Sequence, residues 1–204
     1  MSNNPLRLLL SIWLISALAA CQTSAPPPLQ TEAVEAESKV EPSADPADSL
    51  YQLAMWSTKA GKTEDAIEQF QLVIDQNPAY PRAYTNLGLL RVQKKQWQEA
   101  QQAFEQAISV DENDAIAYHH LGIILREQGQ FKPALVNYQK AIELKPDYAN
   151  AHLNLGILLD LYLQDLPRAL EQYQIYQSLT ENQNEDVAKW IVDIQRRVEA
   201  PDKK

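Results

Sequence analysis

Three histidines, His119, His120 and His152, and one cysteine, Cys21, are the side chains best suited to ligate a metal or act as a nucleophile. Their spacing serves neither purpose. His119 and His120 are adjacent, so on a helix they point in different directions, and no H-E-x-x-H pair sets two imidazoles one turn apart beside a general base. A metal site from His120, His152 and a carboxylate such as Asp160 is conceivable by residue type, but a packing or groove role accounts for the same histidines without further requirements. One cysteine allows neither an internal disulfide nor a cysteine-based zinc site. No G-x-S-x-G elbow, phosphate-binding P-loop or G-x-G-x-x-G turn occurs. The abundant carboxylates fit the solvated faces of helices. The chain reads as non-enzymatic, with no metal and no cofactor.

The surroundings of Cys21 carry more information. Residues 1–7 hold one positive charge, Arg7, and residues 8–20 form an uncharged apolar run. That run is too short for a bilayer, which needs about 20 helical residues. A positive start, an apolar middle and small residues at the end describe a secretory signal. Leu18-Ala19-Ala20-Cys21 resembles the lipobox of bacterial lipoproteins. The resemblance implies a signal peptide over 1–20 and acyl chains such as palmitate on Cys21, which becomes the first mature residue. Each buried CH₂ of those chains contributes about 0.8 kcal/mol to anchoring. Ordinary cleavage after Ala17-Leu18-Ala19 is the alternative and would leave a free thiol. The implied address is a bacterial membrane, facing the periplasm, and Gln22 in place of an aspartate favours the outer membrane. Residues 22–46 contain five prolines, several acidic residues and no aromatic ring. Such a stretch buries too little apolar surface to offset its ordering entropy. Residues 21–46 are therefore read as the lipidated cysteine and a disordered tether, averaging roughly 28 Å end to end.

The chain as a whole has 18 Lys and Arg against 27 Asp and Glu, a net charge of −9, and 45% hydrophobic residues. It is too apolar for a wholly disordered chain and lacks the clustered cations that nucleic acid demands, so no nucleic-acid partner is expected. From Ala47 onward the sequence repeats. Leu53, Leu87, Leu121 and Leu155 are spaced by 34, as are Ala66, Ala100 and Ala134, with Ala169 following after 35. Phe70, Phe104, Tyr138 and Tyr173 each lie four residues beyond the alanine, and Gly88, Gly122 and Gly156 share a position that Ala54 fills in the first copy. This pattern resembles the tetratricopeptide repeat, W-x₂-L-G-x₂-Y…A-x₃-F…P, over copies 47–80, 81–114, 115–148 and 149–183. The tryptophan position reads Leu50, Tyr84, Tyr118 and His152, and the fourth copy carries an insertion near Gln164-Asp165.

The resemblance implies an all-α solenoid of four helical hairpins, stacked because no hairpin hides its apolar face alone. Gly61, Lys95 and Gly129 fall in the turn within a hairpin, and Trp97, Phe131 and Leu166 start second helices. Residues 184–199 place Val187, Ile191, Ile194 and Val198 on one helical face beside Trp190, with Asn184 as an N-cap. They read as a C-terminal capping helix followed by a tail, 200–204.

By the same resemblance, positions 2, 5, 6, 9 and 12 of each copy line a concave face. Position 9 reads Met55, Leu89, Ile123 and Ile157; position 6 reads Gln52, Asn86, His120 and Asn154; position 5 includes Tyr51 and His119. These are the candidate partner-binding residues, an apolar stripe beside a hydrogen-bonding ladder suited to a peptide or helix. For the position 9 residues, plain core packing is the alternative. Positions 2, 5 and 6 across three successive copies supply one cation, Arg82, which disfavours the carboxylate clamp of chaperone-binding relatives. The implied function is a membrane-anchored adaptor or scaffold that binds another envelope protein or a peptide segment during assembly of a cell-envelope complex. The family also offers a pilotin-like factor for type IV pili and an accessory of TonB/ExbB-type complexes; a passive or self-associating structural spacer is an alternative of a different class.

Overall fold

The computed structural model describes residues 45–199; the signal segment, Cys21, most of the expected tether and the tail 200–204 lie outside the described residues. All regular structure among them is helical. Helices α1 (Pro46–Lys59) and α2 (Thr63–Gln76) form a first hairpin, α3 (Pro81–Gln93) and α4 (Trp97–Val110) a second, and α5 (Ala115–Glu127) and α6 (Phe131–Leu144) a third. In the fourth, α7 (Ala149–Ile157) runs into a π-helical turn, Leu158–Tyr162, before α8 (Leu166–Leu179), and α9 (Glu185–Glu199) follows. Each second helix packs on the next first helix, and α9 packs on α8.

Local chemistry sets the boundaries. Pro46 and Pro81 open helices where a missing N–H costs nothing. The Asp45 carboxylate caps α1 by accepting from Ala47 N at 2.9 Å, so the helix begins one residue inside the stretch expected as tether. Pro78 and Pro146 stand just beyond α2 and α6. The turn inside each hairpin needs a left-handed residue: Gly61 (φ 72°) and Gly129 (φ 75°) supply it freely, whereas Lys95 (φ 59°) and Gln164 (φ 56°) adopt it with a β-carbon in the way.

The repeated small residues mark where two helices of a hairpin meet. A β-carbon on Gly88 would stand 2.7 Å from the Phe104 ring, one on Gly122 2.8 Å from Tyr138, and one on Gly156 2.6 Å from Tyr173. Those rings are buried and form the spine of the core with Ala100, Ala134 and Ala169. Register also explains what stays outside. Leu87 and Leu90, Leu121 and Ile124, and Leu155 and Leu158 are buried at the same two positions of successive first helices. At those positions α1 carries Leu53 and Trp56, which are 46% and 57% exposed because no hairpin precedes it among the described residues.

The insertion in the fourth copy is absorbed by the π-helical turn, which fits one extra residue per turn and is closed by Leu163 N donating to Leu158 O at 3.1 Å. At the C-terminal end, Asn184 Oδ1 accepts from Asp186 N and Val187 N, both at 3.1 Å. Val187 and Ile194 are buried, the Trp190 ring lies 5.6 Å from Tyr173, and Val198 stays 38% exposed. Arg197 Nη1 donates to Asp160 Oδ1 at 3.2 Å, fastening α9 to the π-helical turn.

Candidate functional site

A cleft of about 580 Å³ opens where α1, α3 and the start of α5 come together, lined among others by Tyr51, Met55, Arg82, Asn86, Leu89 and Ile116. Met55 and Leu89 are half-buried and Ile116 is 42% exposed, so the lining offers apolar surface that is already partly desolvated. Arg82 is exposed and stands in no ion pair among the described residues. Asp111, Asp114 and Lys145 reach the cleft from the turns between hairpins. Of these, Asp114 is committed to the fold: its Oδ1 accepts from Ile116 N at 3.0 Å and Ala117 N at 2.9 Å, and its Oδ2 accepts from the Thr85 hydroxyl.

The expected ladder at positions 5 and 6 has a structural duty that its pattern did not disclose. Asn86 Nδ2 donates to Tyr51 Oη at 3.1 Å and to Arg82 O at 2.8 Å, using both amide hydrogens. Asn154 Nδ2 likewise donates to His119 Nε2 at 3.1 Å and to Asn150 O at 2.9 Å. These bonds join position 5 of one repeat to position 6 of the next. Tyr51 and His119 are buried at these junctions. What Asn86 and Asn154 keep for a ligand is the amide oxygen, an acceptor for a peptide N–H.

The histidines are fixed by the same logic. With Nε2 accepting, the neutral His119 ring carries its proton on Nδ1 and donates it to Tyr148 Oη at 3.0 Å. Burial, aided by His120 alongside, pushes its pKa down to about 3. Burial also lowers His120, against the opposing pull of Asp114; its ring stacks on Phe104 at 5.4 Å. His152 is buried; its Nε2 donates to Pro146 O at 2.9 Å and its Nδ1 lies 2.8 Å from the side-chain amide of Gln172. Burial and the hydrogen bond to Asp48 push Tyr80 up to about 12. Among the described residues no group of three side chains is arranged to hold a metal, and Asp160 is taken by Arg197.

The structure thus divides the candidate residues. Tyr51, Met55, Asn86 and Leu89 share the cleft. Gln52 is exposed on α1 outside it, while His120, Asn154 and Ile157 lie further along the stack; all four position 9 residues, Met55, Leu89, Ile123 and Ile157, are partly buried and also pack against the core. Ile123 lines a different cavity, with Trp97. Ile116 and Arg82 share position 2, so periodicity could have paired them; Asp111 and Lys145 come from turns, where a helical period carries no signal.

Three comparisons bear on the chain. No curated protein matches it. Solved structures that resemble it include PilF of Pseudomonas aeruginosa (21% identity, 75% of this chain and 69% of that one, TM-score 0.64). Others are YrrB, described as a TPR protein with an unusual peptide-binding site (22%, 74% and 88%, 0.61), and MamA of Desulfovibrio magneticus RS-1 (24%, 69% and 79%, 0.59). At these identities the likeness is one of fold. Residues 57–122 match the family described as Tetratricopeptide repeat and residues 122–161 that described as TPR repeat, together just over half of the chain. Tetratricopeptide repeats are non-catalytic scaffolds for protein–protein interaction, and with its stacked hairpins and its 34-residue period this chain belongs to that family.

Proposed function

We propose that the chain is a membrane-anchored adaptor that holds an extended segment of a partner protein in the cleft between α1, α3 and α5. The observation that carries this reading is the composition of that cleft: Met55, Leu89 and Ile116 offer apolar surface beside an unpaired guanidinium, Arg82, and the free amide oxygen of Asn86. A segment with alternating apolar side chains and one carboxylate would bury the former and pair the latter with Arg82. The peptide-binding site named for YrrB supports the ligand class.

The lipobox resemblance at Cys21 supports anchoring to a bacterial membrane on the periplasmic side, with the outer membrane favoured, and assembly of an envelope complex is the setting in which such an adaptor works. No helix among the described residues is long and apolar enough to cross a membrane. Anchoring in this reading rests on acylation: Cys21→Ala should leave a soluble or unprocessed form, and an unchanged membrane-bound form would defeat the assignment.

Calorimetric titration with peptides from crosslinked envelope partners tests the cleft. Leu89→Asp and the exposed Arg82→Glu should each weaken binding at least tenfold, about 1.4 kcal/mol, while circular dichroism stays unchanged. Binding untouched by both substitutions would refute the proposal. A pilotin-like or TonB/ExbB-associated role would show in the identity of the captured partner, and a self-associating spacer in a mass that rises with concentration.

A further inference from the structure

A second cavity, of about 440 Å³, lies between the start of α4 and the end of α5, lined by Trp97, Ile123, Ile124, Glu127 and Gln128. Trp97 opens α4 and remains 44% exposed. The array contains a second version of this slot. One repeat further on, the equivalents of Trp97, Ile123 and Ile124 are Phe131, Ile157 and Leu158, after which the π-helical turn inserts its extra residue. There the Tyr162 ring, delivered by the π-helical turn, lies 4.6 Å from the Phe131 ring at 34°, so the chain supplies its own aromatic occupant. In the earlier copy the end of α5 has no such insertion and carries Glu127 and Gln128; the Gln128 Nε2 donates to Gln101 Oε1 at 2.8 Å, and neither residue contributes a ring.

We infer that the Trp97 slot is an aromatic-receiving site outside the concave cleft, filled by a tyrosine or phenylalanine side chain of a partner protein. The turn that precedes Trp97 says more about that partner. Lys95, two residues before Trp97, is exposed and in no ion pair among the described residues, whereas Lys94 is paired with Glu64 and Glu127 with Arg126. A carboxylate beside the aromatic residue would meet Lys95. Residues 22–44 contain no aromatic residue, so the expected tether cannot supply the ring. Offset-stacked and edge-to-face aromatic pairs form at centroid separations of about 4.5–7 Å, the range of the internal pair.

The test titrates the full chain with acetyl-Glu-Tyr-Asp-amide and, as control, acetyl-Glu-Ala-Asp-amide, following the Trp97 indole N–H and the Ile123 and Ile124 methyl groups by NMR. The tyrosine peptide should give saturable shifts at these groups and bind at least tenfold more tightly than the alanine peptide. Trp97→Ala, and Gln128→Tyr, which adds a ring to a residue that lines the slot, should each abolish the shifts with circular dichroism unchanged. Leu89→Asp should leave them intact, which separates this site from the cleft. The inference is overturned by equal binding of the two peptides, or by shifts that persist in Trp97→Ala. It is also overturned by a concentration-dependent dimer that Trp97→Ala dissolves, since a second copy would then be the occupant.

Discussion

Acid should loosen the junction between the third and fourth repeats, and His119 sets how much. Its ring is 3% exposed, accepts from Asn154 and donates to Tyr148, and its pKa is held near 3, against about 6.5 in an unfolded chain. The sign follows from linkage. Above pH 6.5 both states carry a neutral ring and no penalty arises. Between 6.5 and 3 the unfolded chain takes up a proton that the folded one refuses, so stability falls as pH falls. At about 1.4 kcal/mol per pH unit, the loss at pH 5 is about 2 kcal/mol, and it is the same for any folded pKa well below 5. Carboxylates also titrate toward acid, so the comparison needs a matched variant. The first repeat provides one: Tyr51 occupies the position of His119, accepts from Asn86 as His119 does from Asn154, and packs 5.0 Å from Tyr80, the counterpart of Tyr148. His119→Tyr should therefore fold, and should remove the His119 component while leaving that of His120 in place. Urea unfolding followed by circular dichroism at pH 7.5 and pH 5 should show the parent losing about 2 kcal/mol more than the variant. Equal losses would refute the buried, neutral assignment of His119.

Three further outcomes follow from the packing. Gly122→Ala gains up to about 1 kcal/mol of helix propensity, yet drives a methyl to 2.8 Å from the fully buried Tyr138 ring; overpacking of about 1–3 kcal/mol should win, and a raised urea midpoint would contradict the contact. Tyr138→Phe should be neutral or stabilising, because the Tyr138 hydroxyl is buried without a hydrogen-bond partner among the described residues; a loss above about 1 kcal/mol would reveal one. Lys95→Gly should raise stability by up to about 1 kcal/mol by relieving the left-handed turn, measured in the same way, and a loss would mean that the lysine side chain contributes more than the strain costs.

The fold was readable because a 34-residue period survives in residues whose size is dictated by contact: Gly88 against Phe104, Gly122 against Tyr138, Gly156 against Tyr173. The family resemblance built on that period implied Met55, Leu89, Tyr51 and Asn86, which meet in one cleft. It could not tell a ligand-binding amide from one whose hydrogens fasten two repeats, since Asn86 and Asn154 look alike in both roles until their partners are seen. Nor could it foresee the π-helical turn that carries Tyr162 onto Phe131, because a one-residue insertion shows where register breaks and not how the backbone absorbs it. Lys145 and Asp111 enter the cleft from turns, beyond the reach of any helical pattern.

The central claim is that the face bearing Met55 and Leu89 holds the partner. Site-specific photocrosslinking in intact cells addresses this, with benzoylphenylalanine replacing Leu89 in the cleft or Val136, which is 63% exposed on α6. A discrete adduct should form from position 89, diminished at least tenfold by Arg82→Glu, and none from position 136. The same adduct from both positions, or adducts from position 136 alone, would contradict the claim.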